Sequence, residues 1–235
     1  MIQQSNDQKT AIAIHQPNYI PWLGYFYKIY QSDIFVFLDD AQFSNEGMHN
    51  FHYIKTPQGL FRLKIPVLQK MGDKINEVKC KDELGWKKKH LITITNFYSR
   101  AAHFNEVFVD FKTLLERDYD NLVEMNIAII QFFCAKLGIN KQFIKSSDLH
   151  ITSTKETRIL DICKILNAEI YYSGTGAKAY QKEENFTKKG IKLEYSNYTP
   201  FEYPQFFGAF QSNVTILDYL MHCGYDWNNV LKNQK

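Results

Sequence analysis

Cysteine is scarce in this 235-residue chain. There are four, Cys80, Cys134, Cys163 and Cys223, and no two are spaced as CxxC. That spacing argues against a zinc ribbon and against a thioredoxin-type redox pair. A long apolar run is missing as well. The longest, Ile127–Ala135, is broken by Gln131, whereas a helix needs about 20 apolar residues to span a bilayer. The polar start, MIQQSNDQKT, lacks the apolar segment of a secretory signal. The expectation is a reduced, cytoplasmic protein without a transmembrane segment. A surplus of one charge is also missing: 28 Lys plus Arg against 25 Asp plus Glu leave a formal +3. Bulk charge therefore gives no reason to expect nucleic-acid binding. Neither GxSxG, HExxH nor a Walker sequence is present, so covalent catalysis has no visible motif.

What is present is ordinary for a folded protein, apart from its rings. Hydrophobic residues make up 45% and charged residues 23%, which excludes a mainly disordered or collagen-like chain. Aromatic residues reach 15%, with 18 Phe, 15 Tyr and 3 Trp. Most serve a core, but tyrosine also suits a cleft that grips sugars or bases, because its ring stacks and its hydroxyl hydrogen-bonds. The length suits one α/β domain over residues 1–235, a mainly parallel sheet flanked by helices, with a mainly helical sub-region at about 85–140.

Residues 1–10 read as a lead without structure. AIAI (11–14) reads as a buried strand, followed by a turn through His15–Asn18. A helix from about Pro21 to Tyr30 follows, with Asn18 as its cap and Pro21 in its first turn. IFVFL (34–38) is a continuous apolar run that suits a strand buried on both faces. Together these make a βαβ unit with parallel strands. Strands are expected at 52–55 and 60–67, turns at Gly59 and Gly72, and helices at 86–98, 105–118 and 121–137. A short strand at 142–145, a helix at 154–166, a strand at 169–172, a helix from near Ala177 and a last helix at 215–222 complete the reading.

Chemistry-bearing residues gather where strands end. His15, Gln16, Asn18 and Tyr19 follow the first strand, where ligands of open α/β sheets bind. His15 suits a general acid/base or a donor to a phosphate or acyl oxygen. Asp39 and Asp40, followed by Gln42, end the next strand. One of the two acids is expected to point inward, to hold a metal–nucleotide or a ribose, orient His15 or accept an amine's proton. In Met48–His52, His49 and His52 lack the acidic partner a zinc site would need, so no metal site is expected, and Asn50 suits polar recognition. Lys89 and His90, within a lysine run that is also read as a solvated helix face, are candidate phosphate contacts. Ser173, Gly174 and Lys178 sit where a strand meets a glycine-containing turn. Lys178 in a helix's first turn would oppose the dipole, which points to an anionic ligand.

The segments IHQPNYIPWLGYF (14–26), FVFLDDAQF (35–43), INEV (75–78), WKKKHL (86–91), RILDICKILNAEIYYSGTGAK (158–178) and LDYLMHCG (217–224) together resemble the WbqC-like protein family over residues ~11–225. Where that family's loop usually reads W-x-N-R-N, this chain has Met48-His49-Asn50-Phe51-His52, without the Arg and the second Asn. The resemblance implies a bacterial enzyme of O-antigen or other surface-polysaccharide (lipopolysaccharide) biosynthesis. Its implied reaction is N-acylation, by glycine or another acyl group, of a nucleotide-linked dideoxy amino sugar. The implied partners are that sugar nucleotide and an acyl or glycine donor, with an aminoacyl-tRNA donor left open. A more distant analogy joins the strand–PxxxPxxG–helix–strand start to the HxGH nucleotidyltransferase-type fold. The HxGH positions here read Trp22-Leu23-Gly24-Tyr25, and Thr152–Arg158 resembles that group's second phosphate motif. That analogy keeps an ATP–Mg²⁺-dependent ligase or nucleotidyltransferase as an alternative, beside a non-catalytic sugar-nucleotide scaffold.

Overall fold

The computed structural model describes residues 9–179 and 181–234. Most of the lead expected at 1–10, residues 1–8, therefore lies outside the described residues. In chain order come β1 (Ala11–His15), α1 (Leu23–Gln31), β2 (Ile34–Phe37), β3 (Phe51–Thr56), β4 (Gly59–Lys64), β5 (Val67–Leu68) and β6 (Lys79–Cys80). Helices α2 (Trp86–Tyr98), α3 (Phe104–Leu115) and α4 (Leu122–Lys136) follow. The chain closes with β7 (Gln142–Lys145), α5 (Lys155–Ile165), β8 (Ile170–Ser173), α6 (Glu183–Thr187), β9 (Lys192–Tyr195), α7 (Ile216–Cys223) and α8 (Trp227–Lys232). The protein is thus an α/β fold with a mainly parallel sheet flanked by helices. Among the described residues, no helix is long and apolar enough to cross a membrane.

The chain divides into two compact units. The first runs up to His15 and adds Tyr27–Leu38 and Lys141–Asn197. It holds a five-stranded sheet in the order β7-β2-β1-β8-β9, every neighbouring pair parallel. Strand alternation explains the burial of both faces. Ile12, Ile14 and Val36 pack with Ile162 and Cys163 of α5 and with Phe186 of α6. On the opposite face Phe37 lies edge-on to Phe35 at 5.1 Å and stacks on Phe143 at 5.5 Å. Chain order within the sheet is third, second, first, fourth, fifth, so the direction of winding reverses between β1 and β8. Crevices at such reversals, beyond the carboxyl ends of the strands, are where open α/β sheets bind ligands.

The second unit comprises Gln16–Phe26, Asp39–Asn140 and Tyr198 onward. The β3–β4 hairpin and the β5–β6 ribbon are both antiparallel. They accompany α2, α3, α4, α7 and α8. Asn121 caps α4 by accepting from the Glu124 N–H at 3.0 Å, and Asp226 caps α8 by accepting from Asn229 at 3.0 Å. Buried Phe104, Val107 and Phe111 of α3, with Ile129 and Phe133 of α4 and Leu217 and Leu220 of α7, form its apolar interior.

Two expectations need correction. Helix α1 begins at Leu23, so Asn18 lies too far upstream to cap it and Pro21 precedes its first turn. Among the described residues no α-helix starts near Ala177 either. Thr175–Ala177 form a single 3₁₀ turn, and the α-helix starts at Glu183. Lys178 therefore does not stand in the first turn of a helix, and the dipole argument for an anion beside it falls away.

Candidate functional site

In the first unit, His15 ends β1 half-buried, and its carbonyl accepts from the Leu38 N–H at 2.8 Å. Ser173, buried, ends the neighbouring β8, and Gly174 follows it. The β1–β8 register pairs Ala13 with Tyr172. His15 and Ser173–Gly174 thus share the carboxyl end of the sheet at its winding reversal. Lys178 is exposed and sits over the Tyr195 ring, 4.9 Å from its centroid.

Beside this strand end lies a residue that motif reading missed. Lys28 of α1 is only 3% exposed, and its Nζ donates to the Ile14 carbonyl at 3.1 Å. Burial lowers its pKa from 10.5 to about 7, because an ammonium loses hydration when enclosed. The available signal was a cation amid aromatic neighbours in the helix LGYFYKIYQ.

In the second unit, the segment after β1 packs against the loop before β3. The Tyr19 N–H donates to the Met48 carbonyl at 3.1 Å. Asn126, fully buried in α4, donates from Nδ2 to the Pro17 carbonyl at 3.0 Å and to the His49 carbonyl at 2.8 Å. One amide thus ties the two segments together. Asn126 was legible as an amide in an apolar helical stretch, yet no motif flagged it. Between these segments Ile20 holds φ at +36°, a region that a β-branched residue avoids and that marks stored strain.

Tyr19 and His90 form a directed pair. The His90 Nε2 lies 3.3 Å from the Lys64 carbonyl, and its Nδ1 lies 3.0 Å from the Tyr19 hydroxyl. A carbonyl only accepts, so Nε2 carries the proton and Nδ1 accepts from Tyr19. Burial holds His90 neutral, with its pKa lowered to about 4 against the opposing pull of the Lys64 bond. Lys89, the adjacent candidate, faces solvent on α2. Lys87 pairs with Asp82 at 3.3 Å. The lysine run is a solvated helix face, and His90 is its inward member.

Around these segments, buried polar atoms lack partners. They are Asn18 Oδ1, Asn50 Oδ1, Asn126 Oδ1, His52 Nε2 and both ring nitrogens of His49. Burial lowers His49 and His52 to about 4, so both rings are neutral. His52 Nδ1 accepts from the Tyr53 N–H at 2.9 Å, which leaves its Nε2 as a proton-bearing donor, and its ring stacks on Trp22 at 6.1 Å. A Cβ on Gly47 would collide with His49 Nε2, so glycine is what lets that ring sit where it does. Among the described residues no group of three or more His, Cys, Asp or Glu could hold a metal ion.

The paired acids separate. Asp39 is 1% exposed, accepts from Asn76 Nδ2 at 3.2 Å, and its carbonyl accepts from the Asn76 N–H at 3.0 Å. Asp40 is half-buried. Gln42 is exposed and bridges Lys74 through the backbone, outside the polar cluster. Gln16 is half-buried, and its carbonyl accepts from the Tyr25 hydroxyl at 3.0 Å.

Comparison with known proteins gives the chain a family. The WbqC-like protein family matches residues 16–229. The chain belongs to the WbqC-like protein family. An uncharacterized protein of Mycobacterium tuberculosis (strain ATCC 25618 / H37Rv), Rv1507c, is 34% identical over 225 residues, covering 94% of this chain and 97% of the relative. No solved structure matches the chain. The matched span contains every candidate residue except His15, which directly precedes it.

Proposed function

We propose that this WbqC-like protein is a bacterial enzyme of surface-polysaccharide biosynthesis that transfers an acyl group, glycyl in the first instance, to the amino group of a nucleotide-linked dideoxy amino sugar. The observation that carries the reading is the set of neutral, buried, incompletely bonded side chains at Asn18, His49, Asn50, His52 and Asn126. Buried polar groups are normally satisfied, and orphaned ones call for a partner. Neutral amides and imidazoles suit sugar hydroxyl and amino groups better than a bare ion, since they offer donors and acceptors in fixed directions.

In this reading His15 moves the proton. As the sugar amine attacks the acyl carbonyl, a C–N bond forms and the bond from carbonyl to leaving group breaks. The amine's proton passes to His15 and then to the leaving group. Ser173 and Gly174 lie at the strand end where phosphates are held in sheets of this order. Correct positioning supplies much of the rate, since effective molarities of well-oriented reactants reach about 10⁵ M. His15→Ala should cost about 10²–10⁴-fold in kcat/KM. A loss below tenfold in a folded variant removes His15 from the role.

The sheet order supports one second reading, an ATP–Mg²⁺-dependent carboxylate–amine ligase, because this winding is shared with nucleotide-binding sheets. A thermal-shift series separates the two. Stabilisation by an amino-sugar nucleotide and not by its N-acylated form supports transfer. Stabilisation by ATP–Mg²⁺ alone supports ligation.

A further inference from the structure

A cleft of about 370 Å³ opens in the second unit beside the β3–β4 hairpin and the β5–β6 ribbon, lined among others by Asn50, Lys64, Gln69 and Lys81. Its volume falls at the small end of the range of about 300–1,000 Å³ for small-molecule sites. That suits a single ring with one charged substituent better than a whole sugar nucleotide. Its lining includes no Asp or Glu. Lys64 and Lys81, both in the lining, make no ion pair among the described residues. Uncompensated cations beside a cavity raise the local concentration of anions and favour charge-assisted hydrogen bonds to them.

The cleft's lining also includes a residue with a buried, unpartnered acceptor. Asn50 is fully buried. Its Nδ2 donates to the Ile65 carbonyl at 2.8 Å, and its own carbonyl accepts from the Ile65 N–H at 2.7 Å. The Ile65 N–H meets the backbone carbonyl of Asn50; because the Ile65 carbonyl can only accept, the amide end facing it is the nitrogen. Asn50 Oδ1 is left without a partner. An oxygen in that state needs an O–H or N–H donor. The cleft's wall is continuous with the segment after β1, since the carbonyl of Lys64 receives the His90 ring that Tyr19 holds.

We propose that this cleft is a binding subsite for a phosphorylated sugar, with Lys64 and Lys81 on the phosphate and Asn50 Oδ1 accepting from a sugar hydroxyl or amino group. A sugar alone satisfies Asn50 and leaves the lysines uncompensated. A bare phosphate satisfies the lysines and gives up the ring contacts. The inference stands whichever reaction the protein carries out, because it concerns binding alone.

Isothermal titration of the full chain with glucose 1-phosphate, inorganic phosphate and glucose tests it. Glucose 1-phosphate should bind at least about tenfold more tightly than either of the others. That binding should weaken as salt rises. Lys64→Glu and Lys81→Glu change side chains at the surface and leave the fold, checked by circular dichroism, intact. Each should weaken glucose 1-phosphate binding by about tenfold or more. Asn50→Ala should bring glucose 1-phosphate down to the affinity of phosphate. If that variant does not fold, the two lysine variants decide alone. The proposal is overturned by the absence of glucose 1-phosphate binding at millimolar concentration, by equal binding of inorganic phosphate, or by unchanged binding in both lysine variants. Failure of acyl transfer with binding intact counts against the function proposed above and leaves the subsite standing.

Discussion

Lys28 makes the protein's stability depend on pH in a direction that can be worked out from one hydrogen bond and one burial. Its amine is enclosed at 3% exposure, with the Ile14 carbonyl as its partner at 3.1 Å, and no carboxylate pairs with it among the described residues. Burial lowers the pKa from 10.5 to about 7. Below about pH 7 the folded and unfolded chains both hold the proton, and the full cost of the buried charge is present. Between about pH 7 and 10.5 the unfolded chain holds a proton that the folded chain has released, so stability rises with pH across that window. At 1.36 kcal/mol per pH unit, the gap from 10.5 to about 7 corresponds to a cost of about 5 kcal/mol at the acid side. About 3 kcal/mol of it is relieved between about pH 6 and pH 9. Lys28→Met keeps the stem and removes the amine, at a cost of about 1–2 kcal/mol for the donor lost to Ile14. Urea unfolding of both proteins should find the variant more stable by about 3 kcal/mol near pH 6 and nearly equal near pH 9. Parallel stability profiles for the two proteins would refute the burial argument, since every other titrating group is common to both.

Three further outcomes follow from the second unit. His49, His52 and His90 are each lowered from 6.5 to about 4. As pH falls from 6.5 towards 4 the unfolded chain therefore gains protons that the folded chain refuses, and each ring should withdraw up to about 3 kcal/mol. The urea midpoint measured against pH should drop over that window, and less so in His52→Gln. Asn126→Ala removes the donor shared by the Pro17 and His49 carbonyls and should lower stability by about 2–4 kcal/mol, read as a fall in the thermal midpoint; a change within about 0.5 kcal/mol would show that the amide does not hold the two segments. Tyr98→Phe removes the hydroxyl that donates to buried Asp218 at 2.7 Å and accepts from the Lys55 N–H at 3.3 Å. It should cost about 2–3 kcal/mol in urea unfolding, even though Gln205 still donates to the carboxylate at 2.8 Å.

What sequence reading recovered follows from how local each signal is. Helix α2 over Trp86–Tyr98 and strand β7 over Gln142–Lys145 coincide with the expected limits. Their apolar spacing is decided by near neighbours, and buried Trp86, His90, Leu91 and Ile94 recur at helical period. That same period sorts the lysine run, turning His90 inward and Lys89 outward. Strand β9 was not anticipated: KLEY is short, alternating and half polar, and its place in the sheet depends on pairing with β8. The ends of strands were legible as sites of polar residues, but not which acid turns in. Buried Asp39 accepts from Asn76, 37 positions away.

The stretch from Ser173 to Thr187 shows where local reading misleads. Lys178 conflicts with a helix start near Ala177, and that conflict was resolved by supposing an anionic ligand. The structure resolves it by moving the helix. Glu183 and Glu184 occupy the first turn of α6, where carboxylates favour the positive end of the dipole. Gly174 and Gly176 upstream disfavour an earlier start. A local conflict in sequence is thus evidence against the assumed element before it is evidence for a ligand. The polar cluster of the second unit passes that test. Its atoms on Asn50, Asn126 and His49 stay unpartnered with the observed elements and their backbone bonds in place. They form only when residues 17–19, 48–52 and 126 converge, so Asn18 and Asn50 were legible locally as polar residues in turns, whereas the part played by Asn126 was not.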